Sequence, residues 1–103
     1  MFYTYILKSK KDDKLYTGST KNLQLRFEQH KNGEVESTKY RRPLSLIYYE
    51  ACVKEDDARR REMVLKSYRG KMFIRNRLKS YFTGSRKIFM TSVIIKRNND
   101  CPD

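Results

Sequence analysis

The sequence predicts an α+β domain: a small three-stranded, antiparallel-rich sheet flanked by helices, in the order β-β-α-β-α-α. Three observations carry that expectation. Runs rich in β-branched and aromatic residues stand at 2–7, 15–18 and 44–50, the composition that suits a pleated, half-buried surface. Stretches with helical stripes or end signals run from about Asn22 to Lys31, Glu55 to Tyr68 and Lys71 to Tyr81. A short polar turn joins the first two strand runs, which makes them a hairpin.

In chain order, Phe2 to Leu7 reads as the first strand, and Lys8 to Lys14, with Asp12 and Asp13 amid lysines, as the turn. Leu15 to Gly18 returns. If an even number of residues connects the strands, Tyr5 and Tyr16 share a face and their hydroxyls project into one place. Asn22 is a good N-cap for the first helix, and Asn32-Gly33 its stop signal. Leu23 and Phe27 form the apolar stripe of that helix, with Arg26 and His30 on its edge. Residues 34–42 are a polar loop ending in Lys39, Tyr40, Arg41 and Arg42, and Pro43 blocks a helix there.

Leu44 to Glu50 is the third strand. The second helix lacks a favoured cap at Lys54, but Asp56 and Asp57 load its first turn with negative charge, which suits the helix dipole. Ala58, Val64, Leu65 and Tyr68 are its expected apolar face, Glu62 lies at the margin, and Gly70 is its expected end. The third helix is basic. Ile88 to Ile95 suggests one more strand, and Asn98 to Asp103 a frayed end. The expected organisation is a domain over residues 1–82 and a C-terminal extension over 83–103.

The composition narrows the function. A chain of 103 residues has room for one core and buries only about 60–70 % of its unfolded surface, so a site belongs in a shallow groove. Twenty-four Lys and Arg against twelve Asp and Glu leave +12, an excess that favours polyanionic partners through counterion release. No run approaches the roughly 18 apolar residues of a membrane span, and no signal-peptide pattern opens the chain. A cytoplasmic setting with no membrane partner is expected. Cys52 and Cys101 have no metal-ligand spacing and His30 is the single histidine, which argues against structural zinc and for free thiols in a reduced compartment.

Five pieces carry a resemblance. They are Tyr3-Thr4-Tyr5 followed by Ile6-Leu7; Tyr16-Thr17-Gly18 followed by Ser19-Thr20; Leu23 with Arg26 and His30; Arg41-Arg42-Pro43-Leu44 with Leu46 to Glu50; and Ala58 to Glu62 with Lys66. In this order, over residues 3–66, the chain resembles the GIY-YIG nuclease superfamily, especially its short stand-alone bacterial members related to the excision-repair nuclease domain. It departs in two places. Tyr3-Thr4 stands where the first triplet has Gly-Ile. Many members carry an Asn about a dozen residues after the Glu, whereas Phe73 and Ile74 stand here and Asn76 is the nearest candidate.

The resemblance implies a metal-dependent endonuclease that hydrolyses nucleic-acid phosphodiesters, with DNA the expected substrate and RNA the other possibility, in a DNA-repair setting. It also implies one Mg²⁺ or Mn²⁺ ion. Glu62 supplies an oxygen to that ion, and one carboxylate can suffice because Mg²⁺ keeps several waters and takes substrate phosphate as a ligand. The alternative is an ordinary Glu62–Lys66 helical ion pair. Arg26 offers the scissile phosphate a planar fork, or else it is a snorkelling helix-edge residue. His30 relays a proton or orients a tyrosine, or else is a capping or packing residue of its helix.

One of Tyr5 and Tyr16 is implied to deprotonate the attacking water and the other to hydrogen-bond the phosphate or its surroundings; otherwise both are core tyrosines. Gly18 would let substrate backbone approach closely, and Lys39, Arg41, Arg42 and Lys66 are candidate phosphate contacts. The competing function is a non-catalytic basic module that binds nucleic acid and keeps the nuclease fold.

Overall fold

The structure is a computed structural model that describes residues 1–83. The expected strand at Ile88 to Ile95, the C-terminal end and Cys101 lie outside the described residues. Two compact units divide the chain, one of residues Met1–Gly70 and a second that begins at Lys71.

The expected element order is the observed one: β1 (Phe2–Ser9), β2 (Leu15–Thr20), α1 (Leu23–Lys31), a single 3-10 turn (Lys39–Arg41), β3 (Leu44–Cys52), α2 (Glu55–Lys66) and α3 (Tyr68–Arg77). The three strands form one antiparallel sheet in the order β2-β1-β3. The central place of β1 explains why Thr4 to Leu7 are buried without a break. Each strand runs two residues past the stretch expected from composition, because ladder hydrogen bonds extend pairing into polar ends.

Register decides the site. Tyr5 pairs with Gly18 and Leu7 with Tyr16, so Tyr5 and Tyr16 do share a face. That face carries the core of Tyr5, Leu7 and Leu44, with Leu23 and Phe27 of α1 packed on it. The opposite face presents a cross-strand row, Ser19–Thr4–Glu50, and all three residues grip α2. The Thr4 hydroxyl donates to the Ala58 carbonyl at 2.9 Å, and Ser19 Oγ donates to Glu62 Oε1 at 2.8 Å. Arg61 donates to both carboxylate oxygens of Glu50, at 2.8 and 2.9 Å.

The helix ends follow local chemistry. The Asn22 side chain accepts from the Leu25 amide, and at the far end Gly33, at φ +80, adopts the left-handed conformation in which the Glu34 amide bonds back to the Gln29 carbonyl. The second helix ends earlier than expected, at Lys66. Gly70 is not its terminator. Ser67 donates to the Val64 carbonyl and accepts from the Gly70 amide, so it closes α2 and caps α3 in one stroke. A Cβ at Gly70 would collide with the Val64 carbonyl and the Leu65 backbone, so glycine permits that tight corner.

The early end changes the apolar face. Ala58 and Leu65 are buried as expected, but Val64 and Tyr68 are exposed, because the chain leaves the helix at Ser67 and much of the grip on the sheet is polar. The third helix starts at Tyr68 rather than Lys71 for the same reason. It stops at Arg77, and helical backbone resumes over 79–83.

Candidate active site

Tyr5 reaches from the central strand across its cross-strand neighbour Gly18. A Cβ on Gly18 would lie 2.6 Å from the Tyr5 hydroxyl. The space a side chain at Gly18 would need is thus taken by the Tyr5 phenol. Gly18→Ala is therefore expected to destabilise by about 1–3 kcal/mol, the range for overpacking, whereas an unconstrained strand position would gain stability from losing a glycine. Urea unfolding of the two proteins distinguishes these outcomes.

His30, in the last turn of α1, is fully buried and bonded at both ring nitrogens. Nε2 lies 2.9 Å from the Tyr5 hydroxyl and Nδ1 lies 2.7 Å from Thr38 Oγ1. The Tyr16 ring stands beside it, 5.1 Å between centroids, and 6.5 Å from the Tyr5 ring. Burial, and then the positive charge of Arg26, depress the imidazole to about 4, so it is neutral at pH 7. One ring nitrogen therefore donates and the other accepts. Burial raises the Tyr5 hydroxyl above the ordinary phenol value, and the Arg26 guanidinium beside it pulls the other way. At neutral pH Tyr5 keeps its proton. Arg26 itself donates to Gln29 Oε1 at 3.0 Å.

Glu62 comes from α2, on the other face. Ser19 holds one of its oxygens and Lys66 Nζ lies 2.9 Å from the other. That contact raises the Lys66 ammonium above the ordinary lysine range. The charge of Glu62 acts on the Tyr5 hydroxyl, and Tyr16 acts on Lys66. Among the described residues no group of three or more His, Cys, Asp or Glu could hold a metal ion. The donor set fits an ion that binds through one hard carboxylate oxygen and keeps the rest of its shell as water, which is the habit of Mg²⁺ and its close analogues. Glu62 retains lone pairs beyond its two present contacts, and Lys66, over half exposed, can swing into water.

The candidate phosphate contacts divide. Lys66 stands beside Glu62, whereas Lys39, Arg41 and Arg42 sit on the 34–42 loop and tie it down. Arg42 donates to the carbonyls of Lys39 and Lys31, the Arg41 carbonyl accepts from Ser9 Oγ, and Arg41 Nε stands 3.6 Å from Asp12. Lys39 lies 3.5 Å from Glu36. Asn76, the nearest asparagine to the expected support position, is exposed on α3. Ser19 and Thr38 were not among the expected site residues. Alternation from Gly18 turns Ser19 to the opposite face, yet its partner depends on where α2 lands. Nothing local marks Thr38.

A family model described as GIY-YIG catalytic domain matches residues 1–76. The chain is 42 % identical over 67 residues to a UPF0213 protein of Staphylococcus haemolyticus, a match that covers 64 % of this chain and 80 % of that one. A UPF0213 protein of Clostridium perfringens is 43 % identical over 67 residues, covering 64 % and 71 %. No solved structure matches.

Proposed function

Since the chain belongs to the GIY-YIG catalytic domain family, a nuclease family whose substrates are nucleic acids, we propose that it is a divalent-metal-dependent endonuclease that hydrolyses DNA phosphodiesters. One observation carries the reading: a fully buried, neutral His30 bonded to the Tyr5 hydroxyl, with Tyr16 and Arg26 beside it. Phosphate binding alone does not call for a desolvated imidazole set between two tyrosines with an arginine beside it, although the ring also supports the fold by holding Tyr5 and Thr38.

Each residue then has a role. Arg26 holds the non-bridging oxygens with its planar fork. Tyr5, held protonated by burial, donates its hydrogen bond to His30 Nε2, and Nδ1–H donates to Thr38. That tautomer keeps both rings in place. Removal of the proton from the attacking water falls to Tyr16, half-buried against the His30 ring, acting as its phenolate after its own proton has passed to solvent. Glu62 would hold Mg²⁺ or Mn²⁺, and the bound ion supplies Lewis-acid neutralisation of phosphate charge.

Ser19 is a positioning residue that orients the Glu62 carboxylate. Ser19→Ala is expected to raise the Mn²⁺ concentration needed for half-maximal cleavage roughly tenfold, as outer-shell substitutions do, and Ser19→Thr to restore it. A metal titration of nicking rates reads this directly. The other reading, a basic module that binds nucleic acid without cleaving it, is favoured by the Glu62–Lys66 ion pair. Nicking of plasmid, flap and single-stranded substrates with Mg²⁺, Mn²⁺ or EDTA decides between them. If no substrate is cut with either ion, the binding module stands and the nuclease falls.

Among the described residues no helix is long and apolar enough to cross a membrane. We place the protein in the cytoplasm, with DNA repair as the setting in which such a nuclease would act.

A further inference from the structure

The 34–42 loop has an inner and an outer side. On the inner side Thr38 holds His30. On the outer side an open groove is lined by Lys11, Lys31, Lys39, Tyr40 and Arg42, with no acidic residue in its wall. Tyr40 is 73 % exposed. A single exposed aromatic is ordinary; its setting here is not. The Lys39 ammonium lies 5.0 Å from the ring centroid. Lys11 Nζ donates to the Tyr40 carbonyl and Arg42 donates to the carbonyls of Lys39 and Lys31. The Lys11 and Arg42 bonds go to neutral acceptors, so they fix the loop without neutralising those two cations; Lys39 has the exposed carboxylate of Glu36 at 3.5 Å, a surface pair that a phosphate can displace. The ring is thus presented on a tied turn, at low ordering cost to a ligand.

We propose that this groove is an accessory site for single-stranded DNA, with an unpaired base stacked on Tyr40 and flanking phosphates on Lys11, Lys31, Lys39 and Arg42. The inference deepens the nuclease reading and rests on it for the choice of DNA. Charge complementarity selects a polyanion, and the aromatic selects among polyanions. A phenol ring stacks only on a base that is out of the helix, which a continuous duplex does not offer. The groove also adjoins the Tyr5–His30–Thr38 hydrogen-bond chain in sequence, because Lys31 follows His30 and Lys39 follows Thr38.

The chain has no tryptophan, so Tyr40→Trp introduces a lone reporter. In EDTA, which suppresses cleavage, a thymidine oligonucleotide is expected to quench the emission of that variant, and a blunt duplex of equal length to leave it nearly unchanged. By anisotropy Tyr40→Ala should weaken single-strand binding roughly 5- to 100-fold, the value of one stacked base, with duplex affinity almost untouched and Tyr40→Phe close to wild type. Thermal melts confirm that the exposed substitutions leave the fold intact. Unquenched emission, an unchanged single-strand affinity, or an equal loss for both substrates overturns the platform. Binding in EDTA is independent of cutting. A protein that binds through Tyr40 but never cleaves removes the nuclease alone, and one that cleaves while Tyr40→Ala binds normally removes the platform alone.

Discussion

Glu62→Gln is expected to reduce metal-dependent cleavage by at least about a hundredfold, the scale on which loss of one electrostatic contact to the transition state is felt. The substitution keeps the shape of the side chain, and its carbonyl oxygen still accepts from Ser19. What disappears is the negative charge that attracts the ion and the pair with Lys66. Because that pair joins neighbouring turns of one helix and Lys66 is largely in water, its loss should cost no more than about 0.5 kcal/mol. Melting temperature should therefore barely move while nicking with titrated Mn²⁺ collapses. DNA binding in EDTA should hold or tighten, since one negative charge leaves a basic groove. Cleavage that survives at unchanged metal dependence would remove Glu62 from the reaction and leave it as the partner of Lys66.

His30→Ala should damage both fold and activity, which separates it from Glu62→Gln. It leaves the buried hydroxyls of Tyr5 and Thr38 without their partner and opens a hole beneath the Tyr16 ring. Each uncompensated group costs about 1–3 kcal/mol, so a loss of about 3 kcal/mol is expected in urea unfolding. Cleavage should fall by about two orders of magnitude, because Tyr5 and Tyr16 lose the ring that keeps them in place.

The pH dependence of wild-type stability checks the same residue. In the unfolded chain the imidazole titrates near 6.5, and in the fold it is depressed to about 4. Between those values the unfolded state binds a proton that the native state refuses, so stability falls as pH falls through that window. The stabilisation is complete above about pH 6.5, and up to about 3 kcal/mol of it is gone once the pH reaches about 4. Asp12, whose carboxylate is depressed below its ordinary value by the Lys14 backbone amide, contributes only at lower pH and does not blur this range. His30→Gln, which cannot take up the proton, should flatten the curve between pH 6.5 and 4. A wild type whose stability is already flat there would show that His30 is not held neutral by the fold.

What the sequence by itself determined is whatever short-range physics controls. Asn22 and Gly33 fixed the ends of α1, because a cap bond and a left-handed residue each act within one turn. The two-residue period of a strand put Tyr5 and Tyr16 on one face once the hairpin register was set. The order of Arg26, His30 and Glu62 along amphipathic segments marked the family and the candidate constellation. Ser67 shows the limit even at short range: one hydroxyl that bonds both Val64 and Gly70 broke a helix that composition alone would have continued.

The tertiary structure decided everything that depends on which surfaces meet. Gly18 makes room for Tyr5, a consequence of their pairing across strands. Ser19, Thr4 and Glu50 are far apart in sequence and become one row only in the sheet, where together they set α2 and the direction of Glu62. Lys39, Arg41 and Arg42 looked alike as loop cations, yet Arg42 bonds the Lys39 and Lys31 carbonyls, Arg41 stands by Asp12 and Lys39 by Glu36, contacts that also hold the loop that delivers Thr38 to His30. The charge state of His30 is the clearest case. An imidazole on a helix edge titrates near neutrality in any short peptide, and only its removal from water, with Arg26 beside it, holds it neutral. Desolvation is a property of the packed chain and has no counterpart in residue order.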